Sequence, residues 1–200
     1  MLSQLRPKIN PLVELIAKPF MRIHPNILTL LGLIPPILFL SFMLNQQYLW
    51  ALVSFLGLFF DTLDGAVARK TKRTSAFGAM LDSTFDRVTD AVYIFAFAAT
   101  GFVSYPLAFL VLVLSYLISY IRSRAELASK GGFVLSIGII ERPERLIIMF
   151  FALLGQLLLN NFMLLELGFA SWAFGLLAIL SFVTVVQRIS ASSRLLRAID

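Results

Sequence analysis

DTLDGAVARKTKRTSAFGAMLDSTFD, residues 61–86, carries four of the chain's eleven acidic residues. Asp61 and Asp64 are three apart and Asp82 and Asp86 four apart, so each pair shares one face of a helix. A basic, turn-like segment, Arg69 to Ser75, separates the pairs. A helical hairpin bent near Lys72 and Arg73 would bring Asp64 level with Asp82, and Asp61 with Asp86, to within a few residues. Both arms rise about 1.5 Å per residue, so four carboxylates would meet at nearly one level. Four facing carboxylates cannot all ionise without a cation. A donor set made only of oxygen fits Mg²⁺ or a similar hard ion.

Away from this stretch the chain is apolar: 59% hydrophobic, with nineteen Phe among 200 residues and a mean hydropathy of +0.88. That composition belongs to an integral membrane protein. An all-α fold is expected, with one domain over 1–200 and six transmembrane helices at about 27–45, 48–69, 76–100, 105–126, 140–160 and 166–188. Pro35 and Pro36 lie inside the first span and predict a kink. Residues 1–26 form a juxtamembrane segment. Pro7, Pro11, Pro19 and Pro25 interrupt it and it has no apolar core run, so a secretory leader is not expected. Within it, Asn10 can cap a short helix with Pro11 at its first position. Leu12, Leu15, Ile16 and Phe20 fall on one face with Lys18 and Arg22 alongside. This pattern predicts an amphipathic helix on an anionic membrane surface, the alternative being a solvated leader.

Cysteine is absent, which excludes disulfides and thiolate metal sites. The net charge of +6 is informative through its placement. Lys and Arg gather at 6–22, 69–73, 122–130, 142–145 and 188–197, and none lies at 45–48, 101–105 or 160–166. By the positive-inside rule the basic connectors and both termini are cytoplasmic. The expected surroundings are a bilayer, in the plasma membrane, with no nucleic-acid partner. The longest loop is 127–139, and no internal repeat or low-complexity run is found.

On this topology Asp61, Asp64, Asp82 and Asp86 sit inside helices, several residues below the cytoplasmic interface. Acids there are costly and mark function by default. The bland alternative is a set of buried salt bridges with Arg87 or Arg122 as counter-ions. Gly65 and Ala68 share the face of Asp61 and Asp64, and Gly78 that of Asp82 and Asp86. Small residues there either allow close helix packing or leave room for a ligand. Arg69 is a forked donor suited to phosphate, and Ser75 could add a hydroxyl. A cation site, a phosphate-sized opening and an Arg together describe a metal-bound diphosphate. A second basic set, Arg122, Arg142 and Arg188, stands at the cytoplasmic ends of the last three spans. These arginines are either snorkelling anchors or an anion site. Arg142 and Arg145 alternate with Glu141 and Glu144 in IERPERL, which favours an internal ion-pair network. The pattern alone does not separate these roles. Asp90 extends the Asp82–Asp86 face by a turn and reads as a structural partner for an Arg. A divalent-cation transporter remains an alternative of another class, against which stands the single cytoplasmic level of the acids.

The pattern Asp61-x2-Asp64-Gly65-x2-Ala68-Arg69-x8-Gly78-x3-Asp82-x3-Asp86 resembles, at every fixed position, the signature of the CDP-alcohol phosphotransferases. The resemblance covers most of the chain and implies a six-span enzyme. Such an enzyme moves a phosphatidyl-type group from a CDP-linked lipid to an alcohol and releases CMP. It implies that Asp61, Asp64 and Asp82 bind two divalent ions, Mg²⁺ or Mn²⁺, and that Asp86 is both ligand and general base. It implies that Gly65, Arg69, Ser75 and Gly78 line the CDP site, and that His24, Pro25, Asn26 and Ile27 help hold the CDP-lipid. Asn26 could instead be only a helix N-cap. SYIRSRAE and IERPERLII resemble the branch that uses inositol 1-phosphate, the phosphatidylinositol phosphate and archaetidylinositol phosphate synthases. There a basic trio, matched by Arg122, Arg142 and Arg188, binds the acceptor phosphate. Arg122 departs from the Lys common in the bacterial enzymes, which leans towards an archaeal lipid. A phosphatidylglycerophosphate synthase is the nearest rival, since its acceptor also bears a phosphate. The resemblance also implies a homodimer.

Overall fold

The computed structural model describes residues 18–130, 133–135, 137–159 and 163–198, without the side chains of Lys18 and residues 58–64. The expected amphipathic helix from Asn10 falls almost wholly outside these residues. A 3₁₀ turn, Lys18–Phe20, opens the described chain.

Eight α-helices follow: α1 Pro25–Leu31, α2 Ile34–Leu44, α3 Tyr48–Phe55, α4 Phe59–Lys70, α5 Ala76–Ala99, α6 Tyr105–Ala128, α7 Arg142–Leu158 and α8 Phe169–Arg197. Extended pairing among the described residues is limited to an isolated bridge, Leu164 to Leu167. Helix therefore covers each of the six expected segments, and α8 runs nine residues beyond the expected 188. Among the described residues, three stretches are long and apolar enough to cross a bilayer: Pro25–Leu44, Tyr105–Ala128 and Phe169–Arg197.

Two of the expected spans are interrupted. The first breaks at Gly32–Leu33, and Pro35 and Pro36 open α2. Proline lacks the N–H that would bond back one turn, so it is at ease in the first turn of a new helix and not inside an old one. The second span tightens into a 3₁₀ turn at Leu56–Leu58. Gly57 lies there against Pro35: a Cβ on Gly57 would sit 2.6 Å from the ring's Cγ. The proline that breaks the first span thus also demands a glycine in the second.

The chain forms two compact units, residues 1–100 and 101–200. In the first, α2 packs on α3 and α5. Phe39, Phe55, Tyr93 and Phe97 form its centre, with ring centroids 4.5–6.0 Å apart. Such pairs contribute about 0.5–1.5 kcal/mol each beyond area burial. α1 packs against both α4 and α5, and Leu28, Ala66 and Val67 bury the α1–α4 contact.

In the second unit α8 packs on α6 and α7. Lipid is as apolar as leucine, so close fit rather than water exclusion drives such packing, and small residues permit it. Ala108, Ser115, Ala170, Ala178 and Ser181 are all buried. Gly155 admits the Phe169 ring, which any Cβ there would overlap. Gln156 Oε1 accepts the Ala170 N–H at 3.0 Å, satisfying an orphan donor in the first turn of α8. Phe109, Leu110, Val113 and Leu117 of α6 are exposed, as a lipid-facing surface should be.

Candidate functional site

The α4–α5 connection is short and capped at both ends. α4 closes with the N–H of Arg73 on Ala68 O at 2.9 Å and that of Lys72 on Arg69 O at 3.3 Å. This is a Schellman arrangement, with Lys72 at φ 56° in the place usually taken by glycine. The bend thus falls at the residue expected from the spacing. Ser75 then N-caps α5, its Oγ accepting the Gly78 N–H at 3.0 Å.

Asp61 and Asp64 lie on α4, whose backbone is helical there, and their side chains lie outside the described set. Asp82 and Asp86 stand one turn apart on α5, both partly exposed, and Asp90 is buried one turn further on. Arg87 Nη1 donates to Ser83 O and Oγ and lies 3.9 Å from Asp86 Oδ2. Arg122, the other proposed counter-ion, pairs instead with Glu126 at 2.9 Å. Among the described residues no cluster of three or more His, Cys, Asp or Glu is formed. The described part of the quartet is therefore the Asp82–Asp86 pair.

The small residues beside the acids make a cradle. A Cβ on Gly78 would lie 3.1 Å from Ser75 Oγ and 3.2 Å from Asn26 Oδ1. Asn26, Ser75 and Gly78 are thereby gathered at the N-terminus of α5, where partial positive charge favours an anion. On α4 a Cβ on Gly65 would lie 3.2 Å from Arg69 Nη1, so the Arg69 side chain folds back along its own helix over Gly65. Oxygen-only carboxylates with an arginine and a helix N-terminus on the neighbouring elements fit a divalent cation carrying a diphosphate.

His24, not Asn26, is the N-cap of α1. Its Nδ1 accepts the Asn26 N–H at 3.3 Å, with Pro25 at the first helical position. The capping alternative for Asn26 is thereby overturned, because a histidine ring nitrogen fills the role usually given to Ser, Thr, Asp or Asn. The Asn26 side chain lies by α5 instead, and Ile27 is exposed.

The three arginines of the second unit occupy three different settings. Arg122 is on α6 with its side chain 43% exposed. Arg142 opens α7, a position where the helix dipole disfavours a cation. Arg188 is 2% exposed on α8. Its Nη1 donates to Ile118 O at 2.7 Å, its Nε to Ile137 O at 2.8 Å, and Nη2 lies 3.8 Å from Glu141 Oε1. A snorkelling head would be in water, so Arg188 is not a surface anchor. It latches the segment before α7 onto α6 and α8. Gly138 makes room for it: at φ 142° a Cβ would fall 2.6 Å from Thr184 Cγ2 and 3.5 Å from Arg188 Nε.

The glutamates of IERPERL cap the helix as well as carrying charge, and Glu141 also lies 3.8 Å from Arg188 Nη2. Glu141 and Glu144 form a capping box at the start of α7, with Glu144 Oε2 accepting the Glu141 N–H at 3.1 Å. The charges that act on Arg188 belong to Arg122, Glu141, Arg145 and Glu126. Arg145, buried on the inner face of α7, was legible in sequence only as an alternating charge. Glu126 offers one sequence signal, its (i, i+4) spacing from Arg122, and its second partner comes from a loop nine residues on.

Comparison with known proteins bears on this arrangement directly. Residues 22–190 match the family model of the CDP-alcohol phosphatidyltransferases. The chain belongs to that family. It is 43% identical over 192 residues to an archaetidylinositol phosphate synthase of Pyrococcus horikoshii, covering 94% of this chain and 95% of the relative. A phosphatidylinositol phosphate synthase of Corynebacterium glutamicum is 37% identical, over 90% of this chain and 82% of its own. Among solved structures, a Mycobacterium tuberculosis phosphatidylinositol phosphate synthase with CDP-DAG bound superposes with a TM-score of 0.74 at 31% identity, covering 90% of this chain and 92% of that one. The same enzyme has been solved with manganese and citrate, again with a TM-score of 0.74. This family member is thus a membrane transferase of phospholipid synthesis, and the cation-transporter alternative falls away.

Proposed function

We propose that this enzyme transfers the lipid phosphate of a CDP-linked lipid, of diradyl or archaeol type, to inositol 1-phosphate and releases CMP. The observation that carries the choice of acceptor is the concentration of arginine in the second unit. A cation at the N-terminus of α7, where the helix dipole disfavours one, and Arg122 on α6 with its side chain 43% exposed are the features of that unit that suit an anion. The near full-length likeness to inositol-phosphate-using synthases supports it.

In the reaction the acceptor hydroxyl oxygen bonds to the lipid-side phosphorus. The bond from that phosphorus to the bridging oxygen breaks, and CMP leaves with the electron pair. Asp86 takes the hydroxyl proton, which a positioned carboxylate can do despite modest basicity. Arg69, Ser75, Gly65 and Gly78, with His24 to Ile27, hold the CDP end. Arg122 and Arg142 hold the acceptor's phosphate, and Arg188, its nitrogens turned to Ile118 O, Ile137 O and Glu141, lends its charge to that site rather than a direct contact. Asp61, Asp64, Asp82 and Asp86 would hold two divalent ions, Mg²⁺ or Mn²⁺, whose chemistry is to neutralise the diphosphate and the charge gathering on CMP.

The reading includes six spans, cytoplasmic termini and site, the plasma membrane, an interfacial N-terminal helix and a homodimer. The alternation of basic and uncharged connectors supports the spans and their orientation, and the homodimer is carried over from the family resemblance. The deciding experiment offers purified enzyme one CDP-lipid with inositol 1-phosphate, free inositol, glycerol 3-phosphate or serine, and follows CMP release. Inositol 1-phosphate should be preferred over all others. Preference for glycerol 3-phosphate would replace this acceptor with that of the phosphatidylglycerophosphate synthases.

A further inference from the structure

Glu126 stands in the last turn of α6. Partial negative charge gathers at a helix C-terminus, so the helix itself disfavours an acid there. Its (i, i+4) pair with Arg122 also runs from base to acid along the chain, the weaker of the two orientations. Helix physics does not explain the residue, and its contacts do. Glu126 Oε1 accepts Arg122 Nε at 2.9 Å and the Leu135 N–H at 3.0 Å. Leu135 is buried in the segment between α6 and α7. That segment is also tied to α8, through the Ile140 N–H on Thr184 Oγ1 at 3.2 Å and Ile137 O on Arg188 Nε. One carboxylate oxygen therefore joins Arg122 to a fixed piece of backbone. The contact engages Nε and, among the described residues, leaves the planar Nη1/Nη2 end of the guanidinium to meet something else.

We propose that Glu126 is a positioning residue for the acceptor, holding Arg122 at Nε so that its Nη1/Nη2 fork is presented to the acceptor's phosphate. The inference rests on the reading of Arg122 as a phosphate ligand. It has a sign that plain electrostatics does not share. A carboxylate beside an anion site repels the anion, so by charge alone removing it should tighten acceptor binding. By positioning, losing its reach should weaken acceptor binding even where the charge is kept.

Two conservative variants separate these effects. Glu126→Asp keeps the charge and loses one methylene of reach, whereas Glu126→Gln keeps the reach and an accepting oxygen and loses the charge. Initial rates of CMP release from the purified full chain are titrated with inositol 1-phosphate at saturating CDP-lipid. The series comprises the parent, both variants, Arg122→Ala, and Glu126→Asp combined with Arg122→Ala. Glu126→Asp should raise the acceptor KM about 5- to 20-fold, the lower part of the range for one charge-assisted hydrogen bond because Arg122 is misplaced rather than removed, with kcat within about twofold. Glu126→Gln should stay within about threefold of the parent, and the double variant should be no worse than Arg122→Ala. A merely structural role would lower the active fraction and kcat and leave KM in place. Parental KM in Glu126→Asp, or a lowered KM in Glu126→Gln, overturns the inference when Arg122→Ala raises KM. Parental KM in Arg122→Ala itself means that the reading beneath it has failed.

Discussion

Asp82 and Asp86 stand on the flank of one uninterrupted helix, whereas Arg122, Arg142 and Arg188 are set by a loop-tied carboxylate, a helix N-terminus and a buried latch. The first arrangement needs only helical periodicity and a capped turn. The second needs segments distant in sequence to meet: Glu126 with Leu135, Arg188 with Ile118 and Ile137. The contrast matches the two tasks proposed. A constellation for the shared chemistry of CDP-alcohols can be written into one helical pair. On the proposed reading, an acceptor site that distinguishes alcohols would be assembled from three helices and a loop.

Substitution should expose the same contrast. Asp61→Asn removes a charged oxygen from the set of four and should abolish CMP release at any acceptor concentration. Turnover equal to the parent at equal metal would take Asp61 out of the cation site. Asp86→Asn should retain much of the CDP-lipid affinity while turnover falls by at least ~10²-fold, the usual cost of a lost general base. Because Asp86 carries two roles, bound metal is to be measured with the rate. Full metal occupancy with near-parental turnover would remove it from the mechanism. In the second unit Gly138→Ala should act on stability first. The positive φ and the overlap with Thr184 should cost about 1–3 kcal/mol, seen as a lower thermal midpoint in detergent. An unchanged midpoint would show that the segment before α7 relaxes freely and is no fixed frame for Arg188.

Much of this was legible in the sequence because it depends on neighbours along the chain. Apolar runs located the helical segments, the proline pair located the first break, and the position of Lys72 followed from the spacing of the acids. The second break was not legible, since Gly57 answers to Pro35 on another helix. His24 escaped notice as a cap because histidine is seldom one. The alternating charges of IERPERL point to ion pairing, and a carboxylate three residues before another at a helix start also satisfies the capping pattern. Arg188 could be placed at a helix end by sequence. That it faces two carbonyls rather than water is a tertiary fact.

The division of labour is tested most directly by titrating both substrates on Arg142→Ala. Helix physics gives this variant no reason to be unstable, since it removes a cation from the positive end of α7. The account predicts an acceptor KM raised by roughly 10- to 150-fold for inositol 1-phosphate, as one charge-assisted bond of about 1.5–3 kcal/mol is lost. The CDP-lipid KM should be nearly unchanged. A parental acceptor KM, or equal changes for both substrates, would contradict it.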